Sequence, residues 1–350
     1  MSQFVQLHML TNYAPANLNR DDLGRPKTAK MGGVDRLRIS SQSLKRAWRT
    51  SDIFEETLKG YIGKRTKLFG VKLYKYLIEK GVSEGNAKKW AQAIASQFGK
   101  LKGADKEKPL ADLEIEQLAH ISPEERDASI QLCDALVAEK REPKKEELEL
   151  LRKDIKAVDI ALFGRMLASN PGFNIEAAAQ VAHAITVNRV VVEDDYFTAV
   201  DDLNAGDQDS GSAHIGESGF GSGVFYTYIC INKTLLEENL GDKELAGKAI
   251  KALTHAAATV SPSGKQNSYA SRARALFILA EKGEQQPRQL SSAYLKPVDD
   301  PDMANAAIKR INELCENMDK VYGKCADNRY SIDVEKGDGS FGKLLDFVGE

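Results

Sequence analysis

Between residues 36 and 49 the chain changes its repeat, and that change dictates a local fold. In Arg36-Leu37-Arg38-Ile39 charged and aliphatic residues alternate, which is the two-residue period of a strand that buries Leu37 and Ile39 and shows both guanidinium groups to one side. Ser40 and Ser41 then suit a helix N-cap. A helix from about Gln42 to Thr50 buries Leu44, Ala47 and Trp48, while Gln42, Lys45, Arg46 and Arg49 face outward. A strand that runs into a helix in this way aims free N-terminal amides at whatever its arginines attract, and the ligand of matching chemistry is a phosphate backbone.

Charge supports this reading through its placement. The chain is nearly balanced at 49 basic to 51 acidic residues, yet residues 36–49 hold five basic side chains and no acidic one. Much of the acidic surplus lies in residues 105–156. A local cluster in a near-neutral protein of pI 6.3 implies a groove for nucleic acid rather than a generally adhesive surface.

The wider pattern is of the α+β class. Phe4 to Leu10 reads as a strand, Gln42 to Thr50 as a helix, Ala157 to Phe163 and Val224 to Ile231 as strands, Lys243 to Val260 as a helix, and Ala275 to Ala280 as a strand. This order, βαββαβ, is that of a ferredoxin-like or RRM-like core. The residues between its first helix and second strand read as helices. Ser122-Pro123-Glu124-Glu125 has the form of a capping box, and Pro143 opens a charged helix through Leu150. Order alone supports a fold and not an activity.

Specific motifs then accumulate. Leu18-Asn19-Arg20-Asp21-Asp22, Gly32-Gly33, and Arg38-Ile39-Ser40-Ser41-Gln42-Ser43-Leu44-Lys45-Arg46-Ala47 are followed by Val158-Asp159-Ile160-Ala161-Leu162 with Gly164-Arg165-Met166. Ala182-His183-Ala184-Ile185-Thr186, Phe197-Thr198-Ala199-Val200-Asp201-Asp202-Leu203 and Gly211-Ser212-Ala213-His214 complete the series. In these stretches the chain resembles the CasC family, the repeated backbone subunit of the type I-E CRISPR surveillance complex called Cascade. The resemblance is continuous to about Tyr228 and scattered beyond it.

The resemblance implies a non-enzymatic protein whose copies oligomerise along one CRISPR RNA and present its guide bases to target DNA, beside other Cascade subunits. Sequence reading is then delegated to the RNA, so the protein need only hold backbone and splay bases. The implied organisation places the first part of the core, with its basic strand and helix, in residues 1–58. A helical insertion, the fingers, occupies 59–156. The core continues in 157–186, an extended thumb-like arm spans 187–222, and the core is completed within 223–350.

The expected RNA contacts are Arg20, Lys27, Arg38, Ser40, Gln42, Lys45, Arg46 and Arg49, with Lys265 and Gln266 carried mainly by the resemblance. Arg165 is expected to hold a phosphate. For Met166, composition favours a core-filling side chain, whereas its place in Gly-Arg-Met implies a wedge between bases. In the arm, Tyr196, Phe197, Val200, Leu203 and Ile215 give a glycine-rich segment something to dock against the neighbouring copy.

The alternative is a metal-dependent ribonuclease, as in related effector complexes, in which Asp21 or Asp22 recruits a divalent ion. The same aspartates can instead cap a turn. Cys133, Cys230, Cys315 and Cys325 form no CxxC pair, the five histidines lack ligand spacing, and no phosphate loop is present, so no metal or cofactor is expected. The N-terminus has no charged leader and no apolar run approaches a membrane span, which places the expected chain in the cytoplasm.

Overall fold

The computed structural model describes residues 2–199 and 214–350. They form an α+β protein with a large antiparallel sheet, and the chain divides into two compact units. One contains residues 1–54, 180–231 and 250–350; the other contains 55–179 and 232–249.

The first unit carries the sheet. Its main path is β11 (Asn328–Asp333), β10 (Ala275–Gly283), β1 (Phe4–Ala16), β9 (His214–Asn232), β7 (Ala184–Thr186), β3 (Val34–Ile39) and β2 (Thr28–Met31), with β6 (Ala179–Val181) and β8 (Glu193–Ala199) pairing separately with β9. Antiparallel register runs from Phe4 opposite Gly283 to Leu10 opposite Phe277, and a bulge follows at Leu10/Thr11. Val5 to Thr11 is buried without a break, so β1 is covered on both faces and does not alternate. Leu10, Tyr226, Phe277, Tyr294 and Ile308 meet in the core, joined by α10 (Met303–Tyr322). The edge strand β11 is followed by α11 (Phe341–Gly349).

A charged group lies inside this apolar layer. His8 Nε2 stands 3.1 Å from Glu281 Oε2, its Nδ1 stands 2.9 Å from the Tyr226 hydroxyl, and Arg288 and Arg329 both donate to Glu281. Burial pushes the His8 pKa down. Burial also opposes ionisation of Glu281, but hydrogen bonds from His8 and Arg288 outweigh it and hold this carboxyl well below the usual range.

In the second unit, α3 (Phe69–Glu79), α4 (Glu84–Ala95) and α5 (Pro123–Glu139) enclose Phe69, Leu73, Trp90, Ile94 and Leu136, beside a ribbon of β4 (Lys64–Thr66) and β5 (Ala119–Ile121). The Ser122 capping box forms as the sequence indicates: Ser122 Oγ accepts from the Glu125 amide, and Glu125 Oε2 accepts from the Ser122 amide. α2 (Asp52–Thr57) leads into this unit, α7 (Lys233–Leu240) belongs to it, and α8 (Lys243–Thr259) leads out of it.

Two elements differ from expectation. The run read as a strand at 157–163 is α6 (Val158–Phe163), with Ala161 N bonded to Ala157 O and Gly164 N to Ile160 O. Val158 through Leu162 are all buried, and a helix buried on every side has no polar stripe to reveal its period. The sheet position beside β9 is filled instead by β7. The charged helix expected through Leu150 is a single 3-10 turn, Lys145–Leu148, which Glu147 closes by accepting from the Lys144 amide and Arg141.

Candidate nucleic-acid interface

The strand–helix junction forms as its sequence dictates. α1 (Ser41–Arg49) is capped by Ser40, whose extended backbone (φ −68°, ψ 145°) lets its hydroxyl accept from Ser43 N at 3.3 Å. Ser41, Leu44 and Trp48 are buried, Gln42 and Arg46 are exposed, and Lys45 and Arg49 are half-buried. The first turn carries no acidic residue, so its N-terminal dipole keeps its attraction for anions, while Arg46 and Arg49 complement the last turn.

Three backbone segments converge on that cap. Lys27 N donates to Asn19 O, Arg38 N donates to Lys27 O, both at 2.8 Å, and Ser40 N donates to Asn19 Oδ1 at 2.9 Å. Arg20, in a bridge with Pro26, therefore adjoins Lys27, Arg38 and Ser40 through main-chain bonds rather than through side-chain packing. The cationic heads remain outside the core. Arg38 Nη1 lies 3.0 Å from His183 Nδ1, and partial burial together with the Arg38 and Lys27 charges lowers the His183 pKa, which favours the neutral ring as acceptor.

The loop before α9 (Gln266–Tyr269) comes to the same region. A side chain at Gly264 would collide with the Leu18 carbonyl, so glycine permits the close approach. Next to it Lys265 has φ 45° and places Nζ 3.1 Å from Ser218 Oγ, while Gln266 Oε1 accepts from Ser271 at 3.0 Å. Gln266 also lines a cleft of about 650 Å³ with Ala47 and Thr50 from the α1 end and with Arg272 and Arg274. Sequence reasoning missed these exposed arginines and His183. Their signal was the basic Ser271-Arg272-Ala273-Arg274 run before β10, and the pairing of β7 with β3 that sets His183 beside Arg38.

β8 and the start of β9 form an antiparallel hairpin, from Glu193 opposite Phe220 to Ala199 opposite His214. Its base is fastened to the basic region: Arg25 pairs with Asp194 at 2.8 Å, and Asn17 Nδ2 donates to both Gly24 O and Gly219 O. Tyr196 is 65% exposed and Phe197 is 42% exposed, with the Phe197 ring lying over Gly216. Val200 and Leu203 lie outside the described residues, as does the Ile215 side chain.

Gly164-Arg165-Met166 belongs to the other unit and corrects two readings. Arg165 is not placed to hold a phosphate: its side chain is 1% exposed and pairs with Glu125 at 2.7 Å. Its remaining bonds go to the His120, Arg152 and Phe173 carbonyls. Met166 is 82% exposed, which excludes a core-filling role in the described chain. Arg36 also departs from expectation, because it is buried and donates to the Met31, Thr186 and Tyr294 carbonyls. Only Arg38 of the two strand arginines remains available at the surface. Asp21 Oδ1 accepts from the Leu23 and Arg25 amides at 3.0 and 2.9 Å, the turn-capping role open to it from sequence.

The family model described as CT1975-like protein matches residues 5–343. No curated protein matches the chain. Among solved structures, a chain of a "CRISPR RNA-guided surveillance complex, pre-nicking" is 31% identical, with 99% of each chain covered and a TM-score of 0.86. A chain of a second "CRISPR RNA-guided surveillance complex" has the same fold at 24% identity, 99% coverage of each chain and a TM-score of 0.75.

Proposed function

Because the chain belongs to the CT1975-like protein family, we propose that it is a CRISPR RNA-binding backbone subunit of a Cascade-type surveillance complex, of the type I-E CasC kind. Copies line up along the guide RNA beside other subunits, and the RNA bases they present pair with target DNA. The protein contributes no catalysis. The observation that carries this reading is the main-chain ladder of Asn19, Lys27, Arg38 and Ser40, which sets Arg20, Lys27 and Arg38 beside an anion-attracting helix start. Such cations supply affinity and register without sequence preference. The arm at 187–222 supplies the contact between copies, and exposed Met166 wedges between bases.

The test is charge reversal of Lys45 and Arg49 in the folded chain. RNA binding weakens whatever the guide sequence, and each lost phosphate contact reduces the log–log salt slope by about one. Unchanged affinity and slope would remove α1 from the RNA path. Incubation of the assembled protein with RNA and magnesium checks the absence of catalysis; cleavage abolished by Asp21→Ala or Asp22→Ala would reverse that part of the reading.

A further inference from the structure

Three elements of the second unit wall a cavity of about 310 Å³ whose lining is mostly apolar. α3 supplies buried Phe69 and Leu73, α5 supplies Ile130, and the β4–β5 ribbon supplies Ile121, which lies opposite Lys64. Lys64, Lys72 and Lys75 also line it, and all three are exposed. Among the described residues these lysines make no ion pair, Glu79 is the one acid of the lining, and Arg126 there pairs with its neighbour Asp127. Lysine stems extend an apolar wall while their ammonium groups stay at the water. The site is therefore an apolar hole with an unbalanced positive surround.

The uncharged polar groups of the lining are already engaged. Thr66 Oγ1 accepts from the Leu68 amide, Ser122 Oγ accepts from the Glu125 amide, and the Tyr76 hydroxyl donates to Asp134. A nucleobase, a sugar or a peptide entering here would give up hydrogen bonds to water and recover few of them. The lining suits instead a body that is apolar along its length and charged at one end, and the unpaired lysines fix the sign of that end as negative. An apolar cavity of roughly 150 Å³ accepts a benzene ring. This one has about twice that volume, room for an alkyl chain of about twelve carbons.

We propose that this cavity binds a medium-chain fatty carboxylate, with the alkyl chain among Phe69, Leu73, Ile121 and Ile130 and the carboxylate among Lys64, Lys72 and Lys75. The site does not depend on guide RNA, since it lies within the second unit and shares no residue with the junction at α1.

Calorimetric titration of the full chain with sodium decanoate tests the site. One saturable site per chain is expected. Across straight-chain carboxylates from hexanoate to hexadecanoate, each added methylene tightens binding about threefold to fourfold, until the cavity is full at about twelve carbons. Decyltrimethylammonium, with the opposite head on a chain of the same length, binds more weakly by about tenfold or more. Lys72→Glu with Lys75→Glu, at exposed positions, reverses that preference. Ile130→Trp, at a half-buried position, fills the cavity and removes decanoate binding. Circular dichroism verifies that each variant is folded; if Ile130→Trp is not, the charge reversal decides alone. Affinity that climbs evenly to hexadecanoate, equal binding of the two heads, or parental binding by folded Ile130→Trp would overturn the proposal. So would a chain that takes up no decanoate; a loss of nucleic-acid affinity on Lys72→Glu with Lys75→Glu would then assign these lysines to nucleic acid.

Discussion

The strand–helix junction of the first unit and the Gly164-Arg165-Met166 turn of the second use arginine in opposite ways. At the junction, main-chain bonds among Asn19, Lys27, Arg38 and Ser40 do the holding, and the charged heads of Arg20 and Arg46 are left in solvent. At the turn the arginine does the holding: Arg165 is sealed against Glu125 and three carbonyls while its apolar neighbour Met166 projects outward. Residue type therefore does not identify a nucleic-acid contact. Buried Arg36, in the same strand as Arg38, spends its guanidinium on carbonyls as Arg165 does, so what each guanidinium meets in the fold decides whether its charge is spare.

The comparison fails first if Arg165 can be removed without harm. Arg165→Leu leaves Glu125 buried without its counter-charge, and denaturant unfolding is expected to register a loss of about 3–5 kcal/mol. Pairing it with Glu125→Gln recovers part of that loss. Any folded fraction retains the parental salt dependence of RNA binding; a shallower slope would return Arg165 to the phosphate set.

Acid distinguishes buried from surface charge at a smaller scale. The folded chain holds the His8 pKa below 6.5, so the unfolded chain takes up a proton that the folded chain refuses. This contribution is present above about pH 6.5 and is lost as pH falls, by up to about 1.4 kcal/mol per pH unit. Glu281 extends the loss below about pH 4.5, since its folded pKa is also depressed. Denaturant midpoints between pH 7.5 and 5 should therefore fall, and His8→Gln should flatten that fall. An equal fall in the His8→Gln chain would show that other groups carry it.

The smallest effect sharpens the comparison most. Met166→Ala should change the stability of the RNA-free chain by less than about 0.5 kcal/mol, whereas a core methionine would cost roughly 2–5 kcal/mol. Guide pairing to target DNA in the assembled complex should weaken. A large drop in thermal midpoint with intact pairing would refute the exposed placement.

α1, the Val224–Ile231 stretch of β9 and α8 were legible in the sequence by their period, and the start of β1 and β10 as short, largely apolar runs of strand length. The buried α6 was not, since Val158 to Leu162 touch protein on all sides and the run has no face to show. In the candidate site, alternation marked Leu37 and Ile39 as buried but could not separate Arg36 from Arg38. That difference arises from carbonyls at Thr186 and Tyr294, far along the chain. The same distance concealed the meeting of His8 with Glu281, and the return of the Gly264 loop to Leu18.

Asn17 has a consequence for the order in which parts of the first unit come loose. Its buried amide spends one donor on the Gly24 carbonyl and the other on Gly219. The turn bearing Arg20 and the root of the hairpin therefore share one fastening, and neither can fray without exposing the other. Backbone amides around Gly24 and Gly219 should exchange with solvent deuterium at matched rates, as members of one cooperative opening unit. Asn17→Ala should quicken both together, so slack introduced on the basic face is felt at the base of the arm.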